Sequence, residues 1–371
     1  MRHGTLGWLM VGAMALACSS KLEVETGFGG EECWALGWCD EWLEPCDGQP
    51  AGPTCTAYEA DSEARLMHVE VDDTHVYWIE YGLLDDLGNY DTPGSLWRVR
   101  IEGGAPSLVA SDLPGPFDFV LTDDSAVIVG NRVVRDGNRE TDGLFRVPKE
   151  GGPQELASVQ DDWFNLRLIC AHRDTAYVGY YSMESGPLSV ELHDGEDVIT
   201  PSYSGQLLAT ACTDDGLYLT GDDTLAFLPD DATEPKVLRE GESYESLSFW
   251  ASERWLFREA DSRYLERLPA TGSGVWERIY RTPEPGRRGS WLAKMTFCGN
   301  RYFLEGRPDD MVGVAAGTVE PFTEPEVVVL GPYESQDVER SGVDTRTIGT
   351  EDAIYWFYKN RLFRTSLPTT Q

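Results

Sequence analysis

A chain of 371 residues with 41% hydrophobic and 11% aromatic content can bury a large core, and its length alone allows one to three domains. Its formal net charge is −34, from 30 Lys and Arg against 64 Asp and Glu. A surface this acidic repels nucleic-acid backbones and anionic membranes, so we expect neither as a direct partner.

The first residues have the pattern of an export signal. Arg2 and His3 precede an apolar run from Leu6 to Leu16, which is shorter than the ~20 residues that a membrane-spanning helix needs. Ala15-Leu16-Ala17-Cys18 resembles the lipobox of bacterial lipoproteins, which implies that Cys18 is lipidated and becomes the new N-terminus. Ser19 is similar to the residue found in lipoproteins sorted to the outer membrane. We therefore expect a signal peptide at 1–17, with ordinary secretion as the alternative.

A flexible, glycine-rich tether is expected at 18–30, followed by a small cysteine-rich segment at 31–56. Cys33, Cys39, Cys46 and Cys55 predict a disulfide knot in an exported protein, with three pairings open. A four-cysteine zinc site is the alternative, although paired Cys-x-x-Cys spacing is absent. The spacing of Trp34, Trp38 and Trp42 places them on one face of a short helix, where we expect them to pack on the knot or on the propeller rim, with an exposed docking patch as the alternative.

The rest of the chain is repetitive. The stretch GSLWRVRIEGGAPSLVAS, from Gly94 to Ser111, returns as GLFRVPKEGGPQELAS from Gly143 to Ser158. Each copy has an aromatic or β-branched run, a Gly-Gly pair and a second apolar run. The pattern predicts two strands joined by a tight glycine turn, because glycine supplies the positive φ that such turns require.

A second signature is an acidic or polar turn that leads into an aromatic strand, first seen from Asp72 to Trp78. An Asp in such a turn can bond its own backbone two residues on. The signature occurs seven times, at Val76-Tyr77-Trp78, Ala126-Val127-Ile128, Ala176-Tyr177-Val178, Leu217-Tyr218-Leu219, Trp255-Leu256-Phe257, Tyr302-Phe303-Leu304 and Ile354-Tyr355-Trp356. Its spacing of about 40 to 50 residues is typical of four-stranded propeller blades.

The sequence therefore predicts an all-β fold, a β-propeller over 57–371 with seven four-stranded blades. Six or eight blades remain as alternatives, because the Gly-Gly turn is lost in the third, fifth and sixth copies. The last copy, Thr345 to Pro368, supplies only three strands. An incomplete last sheet would expose unpaired backbone groups, so we expect the segment around Thr54 to Ala60 to complete it.

Val76-Tyr77-Trp78 and Ile354-Tyr355-Trp356, each followed by a Leu-Trp-Arg-Val or Leu-Phe-Arg-Thr strand, resemble the β-propellers of the Tyr-Trp-Thr-Asp class and similar bacterial propeller lipoproteins. The resemblance covers about Leu66 to Pro368. The Thr-Asp half of the motif is replaced by Ile79-Glu80 and by Phe357-Tyr358. It implies the fold and leaves the function open, because propellers carry unrelated activities.

Three further cysteines lie in the repeats. Cys170 and Cys212 end equivalent strands of adjacent copies, so a disulfide between them is predicted. Cys298 occupies a similar place and is expected as an unpaired, small buried hydrophobe.

We searched for candidate chemistry and found no His-Glu-x-x-His, Gly-x-Ser-x-Gly or phosphate-loop motif. His68 and His75 flank the first turn and are interpreted as partly exposed strand residues. Asp136, Asn138, Glu140 and Asp142 are weak calcium candidates, because oxygen ligands alternate along a loop. Arg278, Arg281 and Arg287-Arg288 form a basic cluster that either binds an anion or balances local acid.

The functional hypothesis is a monomeric, exported, lipid-anchored propeller that acts as a binding or interaction scaffold at the bacterial cell envelope, facing the periplasm or in the outer membrane. Its partner would be a protein or polysaccharide, and no catalytic residue and no cofactor other than calcium is assigned. The alternative is an enzyme, such as a lyase, hydrolase or oxidoreductase, with its site at the channel mouth. Specificity would lie in the loops that join strands D to A and B to C.

Overall fold

The computed structural model describes most of the chain after residue 53. The described ranges are 54–60, 64–81, 93–135, 139–159, 164–182, 189–194, 197–199, 207–221, 223–230, 232–241, 249–261, 264–281, 294–306, 311–332, 347–350, 352–358 and 360–367. The predicted signal peptide, tether and most of the cysteine-rich segment lie outside them. Within these ranges no helix is long and apolar enough to cross a membrane.

The described strands form seven antiparallel sheets of four strands each. We number the sheets 1 to 7 and call their strands A to D, A being the innermost. Sheet 1 contains β2 (Arg65–Val71), β3 (His75–Tyr81), β4 (Gly94–Arg100) and β5 (Ser107–Leu113); sheet 2 contains β6 (Pro116–Leu121), β7 (Ser125–Arg135), β8 (Arg139–Pro148) and β9 (Glu155–Val159); sheet 3 contains β10 (Phe164–His172), β11 (Thr175–Ser182), β12 (Ser189–Asp194) and β13 (Asp197–Ile199).

The remaining sheets follow the same order. Sheet 4 contains β14 (Leu207–Thr213), β15 (Gly216–Gly221), β16 (Thr224–Pro229) and β17 (Lys236–Glu240); sheet 5 contains β18 (Phe249–Ala251), β19 (Trp255–Ala260), β20 (Tyr264–Pro269) and β21 (Glu277–Arg281); sheet 6 contains β22 (Lys294–Cys298), β23 (Arg301–Gly306), β24 (Met311–Thr318) and β25 (Glu326–Pro332); sheet 7 contains β26 (Thr347–Gly349), β27 (Ala353–Tyr358), β28 (Arg361–Ser366) and β1 (Thr54–Glu59).

Each copy of the aromatic signature lies on strand B of a sheet, as predicted. On β3, four consecutive residues from Val76 to Ile79 are buried, so both faces of the strand are covered. A sheet stacked between two neighbours has no solvent-facing side, and its strands therefore become continuous apolar runs instead of alternating ones. That is why the signature stands out in the sequence.

The sheets follow one another around a closed ring. The A strands of six of the seven pairs of neighbouring sheets contact each other: β2 contacts β6, β6 contacts β10, β10 contacts β14, β14 contacts β18, and β26 contacts both β22 and β2. Sheets 5 and 6 join through one apolar cluster that contains Phe257 and Tyr302. The apolar clusters lie between adjacent sheets, so the core is divided among the interfaces of the ring.

The ring is closed by the N-terminal strand, which confirms the predicted closure. β1 pairs antiparallel with β28 and becomes strand D of sheet 7. Tyr58 of β1 also reaches sheet 1, where its ring lies 4.9 Å from that of Trp78 and its hydroxyl donates to Glu80 Oε2 at 2.6 Å. The ring includes Thr54 to Thr56, which the sequence assigns to the cysteine-rich segment.

The predicted turns have the predicted chemistry. Asp72 Oδ1 accepts from the backbone N–H of Thr74 and of His75, both at 2.8 Å. Thr122, Ser252 and Thr350 cap the corresponding turns of sheets 2, 5 and 7 through their hydroxyls. Gly103-Gly104 joins β4 to β5 with φ of 95° and 119°, values that favour glycine over other residues.

The tyrosines of the signature form hydrogen bonds between neighbouring sheets. Tyr218 of sheet 4 donates its hydroxyl to the Ala270 carbonyl of sheet 5 at 3.1 Å. Tyr355 of sheet 7 donates to the Ile101 carbonyl of sheet 1, also at 3.1 Å. A buried tyrosine ring thus fills an interface while its hydroxyl binds the C–D turn of the next sheet, which explains why tyrosine recurs at this position.

Candidate functional site

A cavity of about 840 Å³ lies at the centre of the ring. It is lined by strand A of sheets 1, 3, 4, 5, 6 and 7 and by the turns that follow some of these strands. Its size is in the range of small-molecule and peptide sites in proteins. The cavity residues include Asp214 and Glu253 of A–B turns and Glu320 of a C–D turn.

This position differs from the sequence expectation. Specificity was expected in the D–A and B–C loops, whereas the described cavity is lined by A–B and C–D turns at the opposite ends of the strands. Most of the D–A and B–C loops, such as 82–92 and 282–293, lie outside the described residues.

The register of the sheets defines one layer of residues around the channel. Each sheet contributes the strand A residue that pairs with the central residue of the signature on strand B. The seven residues of this layer are Glu70, Val120, Cys170, Ala211, Ala251, Thr296 and Ile348. We call them the channel layer, and Glu70 is its only charged member.

Glu70 belongs to a buried ionic cluster between sheets 1 and 2. The Nε2 atom of His68 lies 3.0 Å from Glu70 Oε1, and its Nδ1 atom lies 2.8 Å from Asp118 Oδ1 of β6. The side chains of His68 and Asp118 are each only 6% exposed, and the ring edge of His68 packs against Phe119. Both imidazole nitrogens therefore face carboxylate oxygens in a site that contains little water.

The two carboxylates decide the charge of this histidine. Burial alone would lower the pKa of His68, but the charges and hydrogen bonds of Asp118 and Glu70 outweigh it and raise the pKa to about 9. His68 is therefore an imidazolium at neutral pH. One imidazolium with two carboxylates leaves the cluster with a net charge of −1. The expectation that His68 is partly exposed is wrong, because the bulge between Met67 and Val69 turns it towards sheet 2.

Aromatic and acidic side chains surround the rest of the cavity. Phe249, Trp250 and Phe297 are aromatic lining residues that also pack between sheets, and Asp214 and Glu253 are acidic lining residues. Arg254 is the basic residue among the described lining residues, and it pairs with Glu320 at 2.7 Å. The cavity therefore has a negative electrostatic balance.

The predicted disulfide between Cys170 and Cys212 is present, and it lies in the cavity wall. It joins β10 to β14, whose Cα atoms at the two cysteines are 6.3 Å apart. Next to it, His172 and Tyr177 of sheet 3 both contact the carboxylate of Asp230 in sheet 4. Burial and that carboxylate raise the pKa of Tyr177. The interface between sheets 3 and 4 thus has a covalent and a hydrogen-bonded link.

The other predicted cysteine sites have different outcomes. Cys55 is buried on β1 and is disulfide-bonded. Cys18, Cys33, Cys39 and Cys46 lie outside the described residues, so lipidation and the pairing of the knot stay predictions. Cys298 is half-buried at the end of β22, where a buried position was expected.

The calcium candidates are not brought together in the described residues. Asp136 and Asn138 lie outside them, while Glu140 and Asp142 lie on β8 with side chains that are not described. Across the described ranges, no group of three or more His, Cys, Asp or Glu side chains is placed to hold a metal ion. Calcium binding by these residues stays a prediction.

Arg278, one of the arginines of the predicted basic cluster, forms ion pairs with nearby acidic residues. Arg278 contacts buried Glu266 and Asp261 at 3.0 Å each, and its guanidinium lies over the ring of Tyr264. Arg258 contacts the other oxygen of Glu266 at 2.9 Å. Arg287 and Arg288 lie outside the described residues. The described part of the cluster is thus a structural network on sheet 5.

Sequence comparison gives no relative: no protein family and no curated protein matches this chain. Solved structures do match. The chain superposes on YCF48 bound to a D1 peptide with a TM-score of 0.52 at 12% identity, covering 88% of this chain and 100% of that one. It superposes on the propeller domain of the Trilobed protease from Pyrococcus furiosus with a TM-score of 0.53 at 9% identity, covering 83% and 94%. The fold is a β-propeller.

A third match is a prolyl endopeptidase, with a TM-score of 0.51 and 10% identity, covering 84% of this chain but 51% of that one. Identities this low establish the propeller architecture and nothing about activity. The function must therefore be argued from the cavity and its residues.

Proposed function

We propose that this protein is an exported, lipid-anchored, seven-bladed propeller that acts as a binding scaffold at the bacterial cell envelope, with its ligand held in the central cavity. The observation that carries the binding role is the cavity of about 840 Å³, with its aromatic and acidic wall. The blade count rests on the seven four-stranded sheets. The export signal and the lipobox-like stretch from Ala15 to Cys18 support the proposed location at the cell envelope.

The environment of His68 does not suit it to act as a general base. A general base should have a pKa near the working pH and a nitrogen free to take a proton. His68 has its pKa raised to about 9, and both of its nitrogens face carboxylates. At neutral pH it holds its proton and positions the two carboxylates, as a structural and binding element does.

A cavity-filling substitution tests the binding role. Thr210 lines the cavity on β14 and is half-buried, so Thr210→Trp would occupy the space a ligand needs. The matched control is Thr233→Trp, in the exposed C–D turn of sheet 4. Each purified protein is incubated with a cell-envelope extract of the host, and the retained molecules are measured by mass spectrometry. We expect a species retained by the wild type and by Thr233→Trp and lost from Thr210→Trp.

Equal retention by all three proteins would exclude the cavity as the binding site.

The proposed lipid anchor at the cell envelope is tested separately, by mass spectrometry of the protein purified from host membranes. A Cys18 peptide that carries diacylglycerol and acyl chains is the expected result. An unmodified, soluble protein would overturn the lipid anchor while leaving the cavity proposal standing.

A further inference from the structure

Glu70 is charged, whereas the other six residues of the channel layer are not. The other six members are small, apolar or neutral, as expected for side chains that converge on a narrow channel. A residue that breaks a repeated local rule without a packing gain is a candidate for function. Glu70 also lines the cavity directly.

The surrounding backbone is adapted to this cluster. His68 has a positive φ of 42° and sits at the bulge of β2, a conformation that a non-glycine residue adopts at a cost. Asp118 alone would neutralise the imidazolium. Adding Glu70, whose side chain is 26% exposed, leaves an excess negative charge at the cavity wall that a cationic group could pair with.

The other cavity residues match the same kind of ligand. Phe249, Trp250 and Phe297 are among the lining residues and also pack in the interfaces between sheets, so they give the cavity an apolar part beside its carboxylates. Asp214 and Glu253 add negative potential near the mouth, and Arg254 is paired with Glu320. Apolar lining residues together with a fixed carboxylate suit an organic cation better than a metal ion, which needs several oxygen ligands at once.

We propose that the cavity binds an organic cation, and that the carboxylate of Glu70, held in place by His68, receives its amine or guanidinium group. This inference rests on the proposed function, because it assumes that the cavity holds a ligand. It adds the chemical class of that ligand and the residue that selects it.

The test uses capped tripeptides of similar size, Ala-Arg-Ala, Ala-Gln-Ala and Ala-Glu-Ala, with calcium chloride as a fourth probe, in calorimetric titrations of the full chain. We expect the arginine peptide to bind in preference to the others, and more weakly as salt is raised. Glu70→Gln should weaken that binding by about tenfold or more, because a desolvated charged hydrogen bond is lost. Glu277→Gln is the matched control, since Glu277 is paired with Arg267 away from the cavity and should leave binding unchanged.

Glu253→Gln, at the mouth, provides a second variant and should weaken binding by a smaller factor than Glu70→Gln. Circular dichroism and thermal unfolding check that each variant is folded. Binding of the glutamine or glutamate peptide as tightly as the arginine peptide, binding of calcium alone, or an unchanged affinity in Glu70→Gln would each overturn the inference. So would the failure of every probe to bind. The envelope-extract experiment with Thr210→Trp judges the scaffold proposal independently of these outcomes.

Discussion

His68 shows how one buried charge can make the stability of the ring depend on pH. Its pKa is about 9 in the folded protein and near 6.5 in an unfolded chain. Folding is therefore favoured by protonation of His68. The contribution is complete below the unfolded pKa and is lost as the pH rises through the folded one. Asp118 and Glu70 are the carboxylates that face the ring, and Phe119 packs against its edge.

We expect the free energy of unfolding to fall by about 3 kcal/mol between pH 6.5 and pH 9, as His68 loses its proton. Asp118→Asn removes one of the two carboxylates that hold the proton, so it should flatten this slope. Urea unfolding at a series of pH values measures both proteins. If the unfolding free energy of Asp118→Asn depends on pH as steeply as that of the wild type, a group other than His68 is responsible for the pH dependence.

At the scale of elements, the disulfide between β10 and β14 links two sheets that are otherwise held by side-chain contacts. The cysteines are 42 residues apart in sequence, so the bond removes much conformational freedom from the unfolded chain. The double variant Cys170→Ala with Cys212→Ala should lose about 2 to 4 kcal/mol of unfolding free energy while keeping its β-sheet content.

Chemical denaturation followed by circular dichroism measures this loss. Cys298→Ala is the control for removing a thiol from strand A of another sheet, and it should cost less than about 1 kcal/mol. A double variant as stable as the wild type would show that the hydrogen bonds to Asp230 are sufficient to hold sheets 3 and 4 together.

At the scale of the whole molecule, stability depends on the strand that joins the two ends of the chain. β1 completes sheet 7 through its backbone, and its Tyr58 packs between Trp78 and Trp97 of sheet 1 with centroid distances of 4.9 and 5.3 Å. The N-terminal strand thus links the last sheet to the first. If the contacts of β1 with sheets 7 and 1 are lost, the ring opens and strand edges are exposed. We therefore expect such a loss to weaken all the sheets together.

We expect Tyr58→Ala to lower the free energy of unfolding by about 3 kcal/mol, in a single cooperative transition. Tyr58→Phe keeps the ring and removes the hydrogen bond to Glu80, so it should cost about 1 to 2 kcal/mol. Differential scanning calorimetry distinguishes the two. A separate, earlier transition in Tyr58→Ala would mean that sheet 7 unfolds independently of the ring.

The sequence by itself determined the features that depend on local backbone geometry. Strands, turns and strand order follow from patterns a few residues long, such as the Asp72 turn and the Gly103-Gly104 hairpin. The repeat spacing then predicted the propeller, and the incomplete last copy predicted its closure by β1. The sequence also contains the information that defines the channel layer. Six of its seven members stand seven positions before the central residue of the signature in the same sheet.

Only the tertiary structure decided what happens between sheets. His68 and Asp118 are 50 positions apart, and their contact depends on a bulge whose direction the local pattern does not specify. The position of the cavity at the A–B and C–D turns, and the contact of His172 with Asp230, likewise depend on residues from different sheets. Local propensity determines backbone shape, whereas side-chain partners across a ring depend on how the sheets twist and stack, which no short stretch of sequence encodes.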